Sequence, residues 1–339
     1  MSSNTTQPLQ RKTINRHAMA IYHPLAMLAG MQLDVFSPLK DGPRSAEEIA
    51  GAIGVDAAKL APLLYALVVA ELLTVRGAVF ANTAEADHYL VRGRPSYIGG
   101  AHELFSDIWQ ATLKTAESIR TGEPQAKHDF AAMSGAELEA FYRGTYAGAL
   151  ATGRELLANH DLASHRHMVD VGGGSGGLAI AACQECPHLR ATIVELPSVA
   201  PITRKFVDEA DLSDRIDVVT GDVLERPLEG QFDVAVLRSL LQVLAEEEAA
   251  DVVRNVSPAI VPNGTLYVIG RILDDTRLTP PESVSFNLVF LNLYDHGQAY
   301  TERQYRDWLA EAGFTDIEHR RWEDAISVLR ARRETSPAQ

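Results

Sequence analysis

Three glycines at fixed spacing constrain this chain more than any other feature. Gly172, Gly174 and Gly177 form the pattern G-x-G-x-x-G within Asp170-Val171-Gly172-Gly173-Gly174-Ser175-Gly176-Gly177. The pattern follows an apolar run, 168–171, and opens a helical stretch, 177–186. Strand, glycine turn and helix in that order leave free N–H groups at a helix N-terminus, aimed at an anion. Glycine suits the turn because the backbone bends tightly and a ligand approaches it closely. The anion is a pyrophosphate or the carboxylate of the methionine portion of S-adenosylmethionine (SAM). Glu195 ends the next apolar run, 23 residues after Gly172, where a carboxylate accepts from ribose hydroxyls. Both readings need an adenosine-containing ligand, and the turn alone does not choose between them.

The rest of the chain supplies a frame for that turn. Apolar runs at 168–171, 191–194, 216–219, 234–237 and 266–269 alternate with helical stretches at 177–186, 197–210 and 246–259. Such alternation predicts an α/β fold, a parallel sheet with helices on both faces. The tail departs from it. A helix over 305–312 stops at Gly313, and strands 315–319 and 326–330, joined around Glu323-Asp324, predict a closing antiparallel hairpin.

The first part reads as mainly helical. Residues 18–33 are apolar-rich, with a break or kink allowed at Pro24. Ser45 and Glu48 have capping-box spacing. Ile49, Ile53, Leu60, Leu64 and Leu67 recur at helical spacing, and a short hairpin follows around Arg76-Gly77. Helix, turn, helix, hairpin is a winged-helix order. The second helix, 57–70, carries one Lys and no Arg, whereas a DNA-reading helix displays cations and amides. A packing or dimer-forming module is the better reading. An amphipathic helix over 102–119, a loop over 121–127 and a long helix over 137–159 with Gly144, Gly148 and Gly153 lead to a change of character near residue 160. Phe105 and Trp109, four apart, read as core packing beside His102.

Charge and cysteines narrow the partners. A formal net charge of −14 argues against nucleic acid and anionic membranes, which need clustered positive charge. No apolar run approaches a membrane span, and residues 1–16 are polar without an export-signal core. Cys183 and Cys186 form a lone C-x-x-C with no second ligand pair, so no metal is expected. A reducing cytoplasm is the expected compartment.

Gly221-Asp222-Val223 follows the third strand. Asp222 there accepts from an adenine amino group and Val223 packs on the ring face. With these residues in place, the chain resembles the class I methyltransferases. More closely, it resembles the SAM-dependent O-methyltransferase family that includes plant caffeate-type and bacterial polyketide-tailoring enzymes. The resemblance runs from the winged-helix region through residues 169–176, Ser213-Asp214-Arg215-Ile216, Gly221-Asp222, Pro262-Asn263-Gly264 and Thr301-Glu302 to Ala312-Gly313-Phe314. It implies a Rossmann-like SAM-binding catalytic domain over 161–339 and an N-terminal winged-helix-like dimerisation domain over 1–160. Homodimers would interlock through residues 18–33. It also implies cofactor contacts at Asp170, Gly172, Gly174, Glu195, Leu196, Asp222, Val223, Arg238 and Ser239. The acceptor pocket would hold Phe141, Tyr142, Tyr146, Asn287, Phe290 and Tyr294.

The family's catalytic positions are altered. Its general-base His aligns with Gln242, and its two glutamates align with Gly270 and Ala299. A carboxamide does not titrate. Methyl transfer from an activated sulfonium needs mainly alignment, which supplies roughly 7–11 kcal/mol. The expectation is therefore methylation of a small aromatic or secondary-metabolite acceptor, mainly by proximity. Oxygen is the favoured acceptor atom, with nitrogen, sulfur and carbon open. His296, in Tyr294-Asp295-His296-Gly297, is the substitute base to consider. The alternative is a SAM-binding tailoring enzyme that no longer methylates, such as a decarboxylase, hydroxylase or rearrangement catalyst.

Overall fold

Local capping signals start several of the helices. The computed structural model describes residues 9–130, 132–322 and 325–334, which form two units, Met1–Phe105 and Ser106–Gln339. In the first, α1 (Lys12–Ala20) and α2 (Tyr22–Gln32) part at Ile21. Pro24 lies in the first turn of α2, where its missing N–H costs no helix bond. Strand β1 (Arg44–Ser45) leads into α3 (Ala46–Ile53). The Glu48 N–H donates to Ser45 Oγ at 3.2 Å while the Ser45 N–H donates to the Glu48 carboxylate at 2.7 Å. Asp56 caps α4 (Ala57–Val69) with a single bond, the Lys59 N–H donating to Asp56 Oδ1 at 2.9 Å. β2 (Leu73–Arg76) and β3 (Val79–Asn82) form the expected hairpin, which β1 extends, and α5 (Ala84–Leu90) follows. Phe36, Ile49, Leu64, Leu67, Leu73 and Phe80 fill this unit's core, and Phe105 packs against it.

The expected helix over 102–119 is two helices, α6 (His102–Thr112) and α7 (Thr115–Thr121), parted at Leu113-Lys114. A capping box at Ser134 and Glu137 starts α8 (Gly135–Asn159). Strands β4 (His167–Val171), β5 (Arg190–Glu195), β6 (Ile216–Thr220), β7 (Phe232–Arg238) and β8 (Ile260–Gly270) follow in chain order. Helices α9 (Gly177–Glu185), α10 (Ala200–Glu209) and α11 (Glu246–Val256) connect them, and α12 (Pro281–Leu293), α13 (Glu302–Glu311), β9 (Phe314–Arg321) and β10 (Ser327–Arg333) complete the unit. The sheet order is β6-β5-β4-β7-β8-β10-β9. Its first five strands are parallel, and β10 pairs antiparallel with both β8 and β9. The hairpin thus closes the sheet through its second strand. The turn expected at Glu323-Asp324 lies outside the described residues.

Alternation along the strands buries both faces of this sheet. Val169, Leu237, Leu266 and Val268 pack with Val252, Val256 and Leu309 of α11 and α13. Their neighbours Met168, Val236, Tyr267 and Ile269 pack with Leu156, Ile180 and Phe206 of α8, α9 and α10. The glycines that weaken α8 as a sequence serve its packing. A Cβ on Gly153 would lie 2.8 Å from Ala181 Cβ, and one on Gly177 would lie 2.8 Å from Ala149 Cβ. Close approach of α8 to α9 lays α8 against the helix that leaves the glycine turn. The boundary expected at residue 160 falls at the end of α8, inside the second unit.

Candidate active site

The first three residues after β4 leave no room for side chains. Gly172 and Gly174 have φ of +67° and +59°, a region that L-residues with a Cβ occupy at a cost. A Cβ on Gly173 would lie 2.9 Å from the Asp170 carboxylate, and one on Gly174 would lie 2.7 Å from Tyr142 Cε1. The backbone is tied on both sides. The Gly174 N–H donates to Glu195 Oε1 at 2.5 Å, and Thr203 Oγ1 donates to the Gly174 carbonyl at 2.6 Å. The Leu196 N–H donates to Glu195 Oε2 at 3.0 Å. Burial raises the Glu195 carboxyl above its ordinary range, and the N–H groups of Gly174 and Leu196 oppose that. Glu195, expected at a ribose, therefore also braces the turn, a role its spacing did not reveal.

Asp170, next to last in β4, is fully buried, and neither carboxylate oxygen has a hydrogen-bond partner of good geometry. Burial pushes it up to about 7; the Arg238 guanidinium and the nearby Ala179 N–H work against this, and Glu195 adds to it. Arg238 closes β7, and its Nε donates to Thr152 Oγ1 of α8 at 3.2 Å. Burial disfavours its charge while Asp170 supports it. Ser239 follows at φ +58° and donates its N–H to Ile269 O at 2.8 Å, which swings Leu240 onto Gly172. Past β6, Asp222 Oδ1 accepts from the Leu224 N–H at 2.8 Å, and Val223 packs partly buried against the core. A buried, under-bonded carboxylate beside three glycines with no room for a Cβ fits a ligand carrying an ammonium and a carboxylate, as the methionine portion of SAM does.

The three altered family positions converge in part. Gln242 is buried, and its Oε1 accepts from the Arg271 N–H at 2.9 Å. A Cβ on Gly270 would lie 2.7 Å from that same oxygen. Ala299 is fully buried, and its N–H donates to Asn287 Oδ1 at 2.6 Å. Gln242 is thus a strut at the end of β8, and Asn287 holds the backbone at residue 299. Gln242→Ala would leave the Arg271 N–H without this acceptor. The expected loss is about 1–3 kcal/mol in urea unfolding. A loss of turnover per folded molecule beyond a few-fold would instead give Gln242 a part in the reaction.

The expected pocket residues divide into groups. His296 is exposed and lines a cavity of about 400 Å³ with Ser118, Pro124, Asn287, Tyr294 and Gln298. Tyr146 packs on Phe206 with ring centroids 4.8 Å apart. Phe290 contacts Phe286 and Tyr294 at 5.3 and 6.3 Å. Phe141 and Tyr142, 5.2 Å apart, meet Phe130 and His128 in a ring cluster that Tyr294 joins to Phe290. His128 and Phe130 escaped the sequence reading, because an isolated ring in a loop has no periodicity to expose it. Cys183 and Cys186 are buried free thiols, with burial raising Cys183 to about 11. Among the described residues no group of three or more His, Cys, Asp or Glu could hold a metal ion, and no single helix is long and apolar enough to cross a membrane.

Comparison with known proteins agrees with this architecture. An O-methyltransferase domain model matches residues 122–315, and an O-methyltransferase dimerisation domain model matches residues 15–92. A 3-hydroxy-5-methyl-1-naphthoate 3-O-methyltransferase of Streptomyces sahachiroi is 29% identical over 307 residues, covering 88% of each chain. An aclacinomycin 10-hydroxylase of Streptomyces purpurascens is 38% identical over 112 residues, 33% of this chain and 30% of that protein. The crystal structure of human N-acetylserotonin methyltransferase in complex with SAM superposes with a TM-score of 0.82 at 23% identity, covering 99% of this chain and all of that one. The chain therefore belongs to the O-methyltransferase family and is a SAM-dependent methyltransferase with the family's dimerisation domain.

Proposed function

We propose that this enzyme methylates a hydroxyl of a small planar aromatic metabolite, chiefly by holding it in line with the sulfonium methyl. The observation that carries the reading is the wall of rings reaching the cofactor turn. Tyr142 packs over Gly174, and Phe130 and Phe141 extend that wall. A flat apolar acceptor lies naturally against such a surface. The naphthoate-methylating relative supports an aromatic acceptor. Gly172, Gly174, Glu195 and Leu196 would hold the methionine and ribose portions of SAM. Asp222 and Val223 would frame its adenine, and Asp170, Arg238 and Ser239 would set the charge at the site. When bound, SAM supplies an electrophilic methyl; the chain orients the acceptor and excludes water. Alignment of this kind supplies roughly 7–11 kcal/mol of the barrier.

Incubation with methyl-labelled SAM and a panel of naphthols, hydroxynaphthoates and aryl amines tests this. Label in the phenolic ethers, with S-adenosylhomocysteine released, is the expected result. SAM binding without label transfer would favour the second reading, a non-methylating tailoring enzyme. The local match to the aclacinomycin hydroxylase and the replaced positions Gln242, Gly270 and Ala299 support that reading.

The working form would be a homodimer. No residue of α1 is buried, and Ile14, Met19, Tyr22 and Leu25 are exposed on α1 and α2. Such an apolar stripe needs a partner surface, and the matched dimerisation domain supplies the reason for one. Light scattering at micromolar concentration should give the mass of two chains. Met19→Glu with Tyr22→Glu should halve it; a monomeric wild type would reject the dimer. The dimerisation and catalytic roles would divide near residue 160, and the cytoplasm would be the site of action.

A further inference from the structure

The ring cluster contains a proton acceptor that the altered family positions lack. His128 is held in the loop after α7 by its N–H, which donates to Leu293 O at 2.9 Å. Its ring stands 5.3 Å from Phe141, 6.1 Å from Phe130 and 6.4 Å from Tyr294. The side chain is only 10% exposed, and Nε2 lies 2.9 Å from Asp107 Oδ2. Nδ1 is buried without a hydrogen-bond partner. A carboxylate beside Nε2 favours the tautomer protonated there, leaving the Nδ1 lone pair free.

We propose that His128, oriented by Asp107, is the general base that takes the acceptor's proton during methyl transfer. The assignment rests on the acceptor lying against the Phe141–Tyr142 wall. Phe141 touches both His128 and Tyr142, and Tyr142 covers Gly174, so a continuous row of rings runs from the imidazole to the cofactor turn. The two phenols of the cluster are poor bases. Burial, reinforced by Asp107, raises Tyr294 to about 12, and burial with the Glu195 charge raises Tyr142 further. Both stay protonated. In the step, a lone pair of the acceptor oxygen forms the new O–CH3 bond. The C–S bond breaks with its electrons on sulfur, and the O–H proton passes to Nδ1. The imidazolium rests beside the Asp107 carboxylate and returns its proton to water after product leaves.

Two measurements test the assignment. The first is spectroscopic and needs no turnover. 4-Nitrophenol is added to S-adenosylhomocysteine-saturated enzyme at a pH where the free phenol is protonated. Wild type should show the phenolate band, His128→Gln should lose it, and Asp107→Asn should weaken it. The second is kinetic. With an acceptor that wild type methylates, His128→Gln should lower kcat roughly 100-fold or more with KM little changed. Imidazole should restore turnover to His128→Gly. Thermal melts confirm that each variant is folded. A wild type without the phenolate band overturns the assignment, as do His128 variants that keep the band and turnover. Band loss confined to His128 variants, in an enzyme that labels none of the phenols, would leave the base standing and reject the proposed aromatic-hydroxyl acceptor.

Discussion

Asp170→Asn should make the folded protein more stable at pH 8 and a worse binder of SAM. The two effects have opposite signs if, as proposed, this one buried charge serves the ligand at the fold's expense. The carboxyl is raised to about 7 by burial and has no hydrogen-bond partner of good geometry. Its folded-state pKa lies above its unfolded value, so the native state holds the proton more tightly. Stability is therefore greatest below the unfolded value, falls as pH rises from about 4 to about 7, and is flat beyond. The full cost is about 4 kcal/mol at pH 8.

Asparagine removes the ionisation but keeps a buried polar group, so a gain of about 2–4 kcal/mol is expected. That corresponds to a rise in Tm of about 5–10 °C for a unit of this size. The gain should vanish near pH 4, where both side chains are neutral. SAM affinity should fall about 10–100-fold, because a charged acceptor contributes about 1.5–3 kcal/mol to a hydrogen bond with an ammonium. Scanning calorimetry at the two pH values and titration calorimetry with SAM read both signs. A variant less stable at pH 8, or binding SAM unchanged, would reject this account.

Much of the frame is legible because it rests on local signals. The Ser45–Glu48 capping box, the Arg76-Gly77 hairpin and the five apolar strand runs each declare themselves within a few residues. The glycine turn is legible for the same reason. Contacts between distant segments are not. Helical periodicity runs through Leu113, yet Leu113 is exposed and the helix breaks there. Adjacent β9 and β10 read as a hairpin, but nothing local says that β10 lies between β9 and β8. Gly153 reads as a weak point in a helix until Ala181 is seen against it. His128 is the sharpest case. Its partners Asp107, Phe141 and Tyr294 come from three other helices or their ends, and no spacing rule links them. Gln242 is the converse. Sequence flagged the missing base, and the structure supplies its present work, a bond to the backbone of Arg271.

Gly174→Val should abolish measurable SAM binding, a loss of over about 100-fold, equivalent to about 2.7 kcal/mol. Two independent costs meet at this residue. A β-branched side chain at φ +59° is strained, by roughly 1–3 kcal/mol. Its Cβ would also stand 2.7 Å from Tyr142 Cε1, so the ring must leave the turn. The backbone cannot relax cheaply, because Glu195 holds the Gly174 N–H and Thr203 holds its carbonyl. Relaxation would give up those bonds and reshape the turn proposed to hold the cofactor. Tyr142→Ala in the Gly174→Val background separates the costs. It removes the collision and leaves the strain, so stability should recover in part while SAM binding stays lost. Gly135→Ala is the control: it opens α8 at a site where a Cβ meets nothing within 4 Å. There, stability should hold or rise by under about 1 kcal/mol, with SAM affinity unchanged. Recovery of SAM binding in the double variant would show that Tyr142, and not the left-handed backbone at Gly174, limits access to the turn.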